Sequence, residues 1–185
     1  RRQRSVRLRS SSPSTDRIRL GIIGAGTFTR HVHIPNLQSA SDLFDVVGVA
    51  NRTGVSARKV AGTAGAEYAT TDPAQILEDT DIDAVLIGTR HDLHAELTLA
   101  ALRAGKHVLV EKPLATTAAE IDALESFFRD AEGSDAITPI MLTGYNRRFS
   151  PFARRLRDHV RERLHPLVMT YRMNAGYLPD DHWVH

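Results

Sequence analysis

The chain has 185 residues, with 24 Lys and Arg against 22 Asp and Glu, so its formal charge is only +2 at neutral pH. This near balance demands no polyanionic partner, and the absence of cysteine excludes a disulfide scaffold, a thiol nucleophile and a cysteine metal site. No apolar stretch is long enough to span a membrane, and no signal sequence opens the chain. We therefore expect a cytoplasmic protein with neither a membrane nor a nucleic-acid partner.

The first seventeen residues are rich in arginine and serine and poor in apolar side chains. Such a composition buries little surface, so residues 1–17 are predicted to be a linker. On charge alone this segment could touch nucleic acid, but the rest of the chain carries no nucleic-acid motif.

A short apolar strand, Ile18 to Ile23, leads into Gly24-Ala25-Gly26-Thr27-Phe28-Thr29. Two glycines one residue apart let the backbone turn tightly and approach a pyrophosphate, to which the amides of Thr27 and Phe28 would donate at the helix start. Thr29 occupies the third glycine position of this dinucleotide fingerprint. The alternative is a glycine-rich turn that binds nothing.

Alternating strands and helices follow this turn. Short apolar runs predict further strands at Phe44–Ala50, Ala84–Gly88 and His107–Val110, whereas amphipathic runs predict helices at Thr27–Ala40, Val55–Ala64, Pro73–Asp79, Leu93–Ala104 and Ala118–Ala131. Strands without polar alternation are buried on both faces. The order predicts an α/β fold with a doubly wound, parallel Rossmann sheet.

The second strand ends at Asn51-Arg52-Thr53, about twenty-five residues after Gly26, where an NAD-selective site carries Asp or Glu for the ribose hydroxyls. An amide, a guanidinium and a hydroxyl suit a 2′-phosphate better, so NADP is favoured over NAD. A strand-end Asn can still serve NAD, and Arg52 could simply be exposed.

Gly105 to Lys112 is the most informative run, because a helix stop and an apolar strand are followed by Glu111-Lys112-Pro113. This places Lys112 at the carboxyl end of a strand, where open α/β sheets bind ligands. Considered alone, Lys112 could be a solvated lysine.

Together these motifs resemble the Gfo/Idh/MocA oxidoreductases. The resemblance rests on the glycine turn and on four later runs: His33-Ile34-Pro35, Thr89-Arg90-His91-Asp92-Leu93-His94, Ala104-Gly105-Lys106-His107-Val108 and Glu111-Lys112-Pro113. Residues 144–151 and 174–185 further resemble two-part proteins in which a zinc-alcohol-dehydrogenase-like region precedes such an oxidoreductase.

The resemblance implies roles for several residues. Thr89, Arg90 and His91 would contact the cofactor, and Arg148 would lie close to cofactor or substrate. Glu111 would also line the site, while Lys112 would reach the nicotinamide ribose and a substrate hydroxyl, as the catalytic residue of this chain. Asp92 is expected to cap a helix, and His94 to pack or cap.

We predict a linker over residues 1–17 and an NAD(P)-binding domain over residues 18–143. Residues 144–185 are predicted to be the first elements of an incomplete α+β substrate domain. These elements are a helix at Pro151–Arg163 and a strand at Leu167–Asn174. The family's acid/base pair, an Asp and a His on one helix, matches no residue here, so the chain alone is expected to be inactive. His182 and His185 are not assigned that role.

The activity implied is hydride transfer to or from a sugar, sugar nucleotide or polyol. The alternative is a dinucleotide-binding fragment without turnover. A homo-oligomer is expected only of a longer protein. The spacings of the nine histidines suggest no metal site, because no third ligand accompanies any pair.

Overall fold

The computed structural model describes residues 5–9, 16–132, 137–172, 174, 176–177 and 179–180. These residues form a larger unit that ends at Tyr145 and a smaller one that begins at Asn146. The larger unit is built on one seven-stranded sheet. Its strands are β1 (Ser5–Arg7), β2 (Ile18–Ile23), β3 (Phe44–Ala50), β4 (Tyr68–Thr70), β5 (Ala84–Ile87), β6 (His107–Val110) and β7 (Met141–Thr143).

The strand order is β1-β4-β3-β2-β5-β6-β7, and every pair is parallel except β1 with β4. From β4 to β7 this is the doubly wound order of a Rossmann sheet, in which the direction of winding reverses between the two central strands. The reversal lies between β2 and β5. The loops that leave these strands therefore diverge and open a crevice at the carboxyl edge of the sheet.

Helices cover both faces of the sheet. They are a π-helical turn (Thr29–His33), α1 (Ile34–Ser39), α2 (Gly54–Ala64), the single-turn α3 (Ala74–Leu77), a 3₁₀ turn (His91–Leu93), α4 (His94–Arg103) and α5 (Ala118–Ala131). Within the described residues, no helix has the length and apolar character that a membrane crossing requires.

The core consists of two apolar layers, one on each side of the sheet. Ile22 and Ile23 are adjacent in β2 yet belong to different layers, because successive side chains of a strand point to opposite faces. The layer that contains Ile22 packs against α1 and α2, and the layer that contains Ile23 packs against α3, α4 and α5. This double burial explains why the strands are apolar without alternation.

Two helix starts follow directly from sequence. Thr53 caps α2 by accepting a hydrogen bond from the Ser56 amide at 3.4 Å. At α5, Thr117 and Glu120 form a capping box, each side chain accepting a bond from the other's amide. Backbone bonds from Thr116 and Thr117 lower the pKa of the Glu120 carboxyl. These capping bonds fix where each helix begins.

Four predicted strands are present with almost the expected bounds, but three others were missed. β4 and β7 have only three residues each, too short for a periodicity signal, and they become strands by pairing with β3 and β6. The strand predicted over Leu167–Asn174 is absent from the described residues of that range. The smaller unit instead contains a 3₁₀ turn (Asn146–Phe149) and α6 (Pro151–Val160), which ends earlier than expected.

The linker predicted over residues 1–17 does not hold for residues 5–9; residues 1–4 and 10–15 lie outside the described part. Ser5–Arg7 forms β1, antiparallel to β4, and the Leu8 amide bonds the Glu67 carbonyl at 2.6 Å. Leu8 also packs against the apolar core. Composition missed this strand because the backbone of an existing sheet edge, rather than a run of apolar side chains, holds it in place.

Ion pairs hold residues 5–9, the amino-terminal arm, at the amino end of the sheet. Arg19 is almost fully buried and lies 3.0 Å from Glu67 and 3.7 Å from Asp45. One cation thus faces two buried carboxylates. Arg9, which follows β1, supplies the second cation by bonding Asp45 at 3.0 Å. The arm therefore balances the charge of the buried cluster.

Replacing Arg9 with alanine should lower the free energy of unfolding by about 1 kcal/mol, because a half-exposed arginine is lost from a buried carboxylate. Amide hydrogen exchange in β1 should accelerate, and the loss should shrink in high salt, which screens the wild-type pair. Denaturant titration and exchange by mass spectrometry measure these effects. Arg7→Ala, exposed on the same arm, is the control. Equal behaviour of the two variants would contradict a stabilising Arg9–Asp45 ion pair.

Candidate functional site

The crevice begins at Gly24, the first residue after β2. Its φ of +86° is a left-handed conformation that favours glycine. A Cβ at this position would lie 2.6 Å from both the backbone nitrogen and the Cγ2 of Thr89, in the loop that leaves β5. Only glycine lets the two loops come this close, so the shape of the crevice depends on Gly24.

Thr29 replaces the third glycine of the fingerprint, and Gly88, which follows β5, leaves space for its side chain. The side chain is buried, and its hydroxyl donates to the Gly24 carbonyl at 3.1 Å. A Cβ on Gly88 would collide with that hydroxyl. The glycine that permits close packing is therefore Gly88, in the loop after β5, instead of a glycine in the helix. In addition, the hydrogen bond from Thr29 fixes the turn.

Gly26 differs from Gly24, because nothing in the described part of the chain requires a glycine there. It is exposed, and a Cβ would find its nearest neighbour, the Gly88 carbonyl, at an ordinary 3.7 Å. The helix begins immediately afterwards, at Thr27 and Phe28, whose amides precede the first intrahelical bonds. A bare backbone beside free helix amides is a cradle that fits a pyrophosphate.

Asn51, Arg52 and Thr53 form the turn from β3 into α2. The Asn51 side chain donates from Nδ2 to the Ser56 hydroxyl at 2.7 Å, and its Oδ1 accepts a hydrogen bond from the Arg52 backbone N–H at 2.9 Å. Among the described residues, the Arg52 guanidinium has no hydrogen-bond or ion-pair partner, and the first turn of α2 contains no acid. The turn thus presents an exposed cation and a helix amino end, both favourable to an anion.

His94 connects two loops of the crevice. Its ring is almost fully buried, with Nδ1 2.6 Å from the Pro113 carbonyl and Nε2 3.2 Å from the Thr89 carbonyl. The ring of His91 packs edge-on against it at 5.7 Å. His94 was expected only to pack or cap, whereas the structure places it between the β5 and β6 loops. Asp92 makes no capping bond to α4, whose first residue is His94.

Arg90 is exposed, while His91 is partly buried. Desolvation, followed by the neighbouring His94 and the Lys112 charge, lowers the pKa of His91 below the ordinary histidine value. His91 is therefore neutral at pH 7 and able to donate one hydrogen bond and accept another. The same effect indicates that the Lys112 charge is near this ring.

Glu111 and Lys112 follow β6, and the Lys112–Pro113 peptide bond is cis. Glu111 points away from solvent and bonds His33 Nε2 at 2.7 Å through one oxygen. Its other oxygen accepts from the Lys112 amide at 3.3 Å. The Lys112 side chain is exposed and its ammonium has no partner among the described residues. A cation available for a ligand thus stands at the crevice.

Arg148 belongs to the smaller unit, where its guanidinium lies 4.9 Å above the Phe149 ring. His182 and His185 lie outside the described residues, as does Trp183. Among the described residues, no three His, Cys, Asp or Glu side chains group as a metal ligand set would.

His33, His94 and Gly88 shape the crevice through contacts that the sequence did not predict. His33 and Glu111 are 78 positions apart, so no local pattern could have paired them. Gly88 lies at the end of a predicted strand, and no local sequence pattern indicates its contact with Thr29, which is far away in sequence. For His94, the indication in the sequence was its place in the Thr89–His94 motif that carries the family resemblance.

A family model described as an oxidoreductase family with an NAD-binding Rossmann fold matches residues 18–133. The chain is 32% identical over 143 residues to myo-inositol 2-dehydrogenase of Thermotoga maritima, covering 77% of this chain and 40% of that protein. It is 34% identical over 173 residues to 1,5-anhydro-D-fructose reductase of Ensifer adhaerens, covering 87% and 46%. The chain thus spans less than half the length of these relatives.

Among solved structures, a 3-ketoreductase of Actinomadura kijaniata, crystallised with TDP-benzene and NADP, superposes with a TM-score of 0.68. The two are 32% identical, and the match covers 79% of this chain and 44% of the reductase. The fold, the glycine turn and these similarities agree: the chain belongs to the Gfo/Idh/MocA oxidoreductase family and contains its NAD-binding Rossmann fold.

Proposed function

We propose that this chain supplies the NADP(H)-binding half of an oxidoreductase that acts on a hydroxyl or carbonyl group of a sugar, sugar nucleotide or polyol. The relatives reported above include a dehydrogenase of inositol and a reductase of a sugar derivative, and the solved structure is a ketoreductase bound to NADP. A dinucleotide-binding chain without any part in turnover is therefore not favoured.

Gly26 is the observation that carries the proposal. The fold tolerates a side chain there, yet glycine leaves the backbone open beside the first amides of the helix. In this proposal Gly24 shapes the turn, and the amides of Thr27 and Phe28 donate to the pyrophosphate. Arg52, with Asn51 and Thr53, is proposed to bind the 2′-phosphate, which would favour NADP over NAD.

The bound nicotinamide would accept or supply a hydride. The part of Lys112 is to bind the nicotinamide ribose and the substrate oxygen, which orients the reacting carbon and stabilises the negative charge that develops on oxygen. Thr89, Arg90, His91 and Glu111 belong to the same proposed site, and Arg148 is kept as a proposed contact of cofactor or substrate.

The proposal assigns residues 18–143 to the cofactor domain and 144–185 to the beginning of a substrate and oligomerisation domain. The division observed after Tyr145 supports this boundary. A cytoplasmic location and a homo-oligomer of the longer protein complete the proposal.

Gly26→Ala should lower NADPH affinity at least tenfold, because the new methyl group would occupy the space of the pyrophosphate. Thermal stability should stay the same or rise slightly, since the backbone conformation suits alanine. Fluorescence titration and thermal unfolding give the two values.

The matched control is Gly62→Ala in α2, where a Cβ would meet no atom of the described residues within 4 Å. It should stabilise the helix by about 0.5–1 kcal/mol and leave NADPH binding unchanged. Wild-type affinity in Gly26→Ala would remove the pyrophosphate site from the proposal.

Arg52→Ala should weaken NADPH binding about tenfold, as expected from the loss of one charge-assisted hydrogen bond worth about 1.5 kcal/mol. Binding of NADH should hardly change, because NADH lacks the 2′-phosphate. Parallel titrations with both cofactors measure the preference. Arg58→Ala, exposed further along α2, is the control, and an NADPH preference that survives Arg52→Ala would refute the role of Arg52.

A further inference from the structure

The two residues that flank Lys112 are each held by a histidine from a different helical segment. His33 bonds the Glu111 carboxylate at 2.7 Å, and His94 bonds the Pro113 carbonyl at 2.6 Å. His94 is 1% exposed, and the side chains of His33 and Glu111 are 12% and 13% exposed. Both contacts are therefore largely shielded from water, which strengthens them.

The His33 contact ties Lys112 to the glycine turn. His33 ends the π-helical turn that follows Thr27 and Phe28, and the Phe28 ring packs edge-on against it at 5.2 Å. In addition to His33, the Glu111 carboxylate accepts a hydrogen bond from the Lys112 amide. It also packs against the backbone of Gly144, where an added Cβ would lie 3.0 Å from the carboxylate. The carboxylate thus has contacts on three sides.

The His94 contact ties Lys112 to the loop after β5. Nδ1 reaches Pro113 and Nε2 reaches the Thr89 carbonyl at 3.2 Å, so one ring spans two loops. Both partners are carbonyl oxygens, so a ring with a single N–H can donate to only one of them. The shorter distance assigns that N–H to Nδ1, so the hydrogen bond goes to the Lys112–Pro113 turn and the Thr89 carbonyl is in packing contact with Nε2.

The Lys112 side chain has no contact of this kind. Its ammonium lacks a partner among the described residues, and the side chain is exposed. The direction in which it leaves the backbone is therefore set by the bonds to its neighbours in sequence. Holding this backbone in one conformation reduces the ordering cost when the lysine binds a ligand.

We propose that His33 and His94 are positioning residues that hold the Glu111–Pro113 turn from both sides and thereby aim Lys112 at the nicotinamide end of the cofactor. The part of this inference that concerns the cofactor rests on the proposed function. The clamp itself is a property of the chain without ligand.

The clamp is tested first without cofactor, by hydrogen exchange of backbone amides across residues 108–116. His33→Leu and His94→Leu should accelerate exchange at the Lys112 amide at least tenfold. His33→Gln and His94→Asn should restore much of the protection, because their amide nitrogens can take the places of Nε2 and Nδ1.

Ile82→Val, a core change remote from this turn, controls for general loss of stability, and His159→Ala on exposed α6 controls for loss of a histidine. Faster exchange confined to the turn supports the clamp. Equal acceleration throughout the sheet, or wild-type exchange in both leucine variants, overturns it.

The link to Lys112 is tested with two ligands. The leucine variants should bind NADPH five- to tenfold more weakly, whereas adenosine 2′,5′-bisphosphate, which lacks the nicotinamide end, should bind as to the wild type. In a Lys112→Ala background the histidine substitutions should cause no further loss of NADPH affinity, since they act through that lysine.

Additive losses in the double variants, or equal losses for both ligands, would overturn the link and leave a merely structural role. If the turn loosens but NADPH affinity is unchanged, the positioning role is also refuted. Failure of the proposed function gives a different result, because the wild-type chain would then bind neither ligand. The exchange measurement would still decide whether the two histidines hold the turn.

Discussion

The close approach of two backbone turns at the centre of the sheet is the constraint on which the rest of the structure depends. The loop after β2 and the loop after β5 touch through Gly24, Gly88 and Thr29, with no space for another side chain between them. This contact sets the direction of the first helix and the position of Thr89. It therefore defines the crevice in which the glycine turn, the β5 loop and the Lys112 turn meet. A doubly wound sheet provides such a crevice only at the reversal of its strand order.

The two ends of the sheet serve different purposes. At the amino end, charges are buried and matched: Arg19 lies between Glu67 and Asp45, and Arg9 completes the set. Paired charges of this kind fix the arrangement of the strands, because leaving any one of them unpaired is costly. At the carboxyl end, by contrast, the cations Arg52 and Lys112 are exposed and lack partners among the described residues. Cations without partners at the edge of a crevice are available to an anionic ligand.

The histidines illustrate how one residue type takes separate roles in a small space. His94 is buried and His33 is largely shielded, and both are bonded to groups beside Lys112, so they act on the turn that carries it. His91 lies at the crevice, and its lowered pKa keeps the ring neutral next to a lysine. A neutral ring avoids repulsion with that cation, which lets both occupy one site. The sequence presents these histidines as similar members of two short motifs, and only their surroundings separate them.

The sequence by itself determined the Rossmann class, four central strands with nearly their observed bounds, and the placement of Gly24, Gly26 and Lys112 at the carboxyl edge. These are local properties, because doubly buried strands must be apolar throughout and tight turns require glycine. Tertiary structure alone decided what depends on distant partners. The arm of residues 5–9 becomes a strand because β4 offers a free edge, and no strand forms in the described residues of 167–174. Likewise His33 meets Glu111, and Gly88 makes room for Thr29, through contacts between residues far apart in sequence, which no pattern of neighbouring residues encodes.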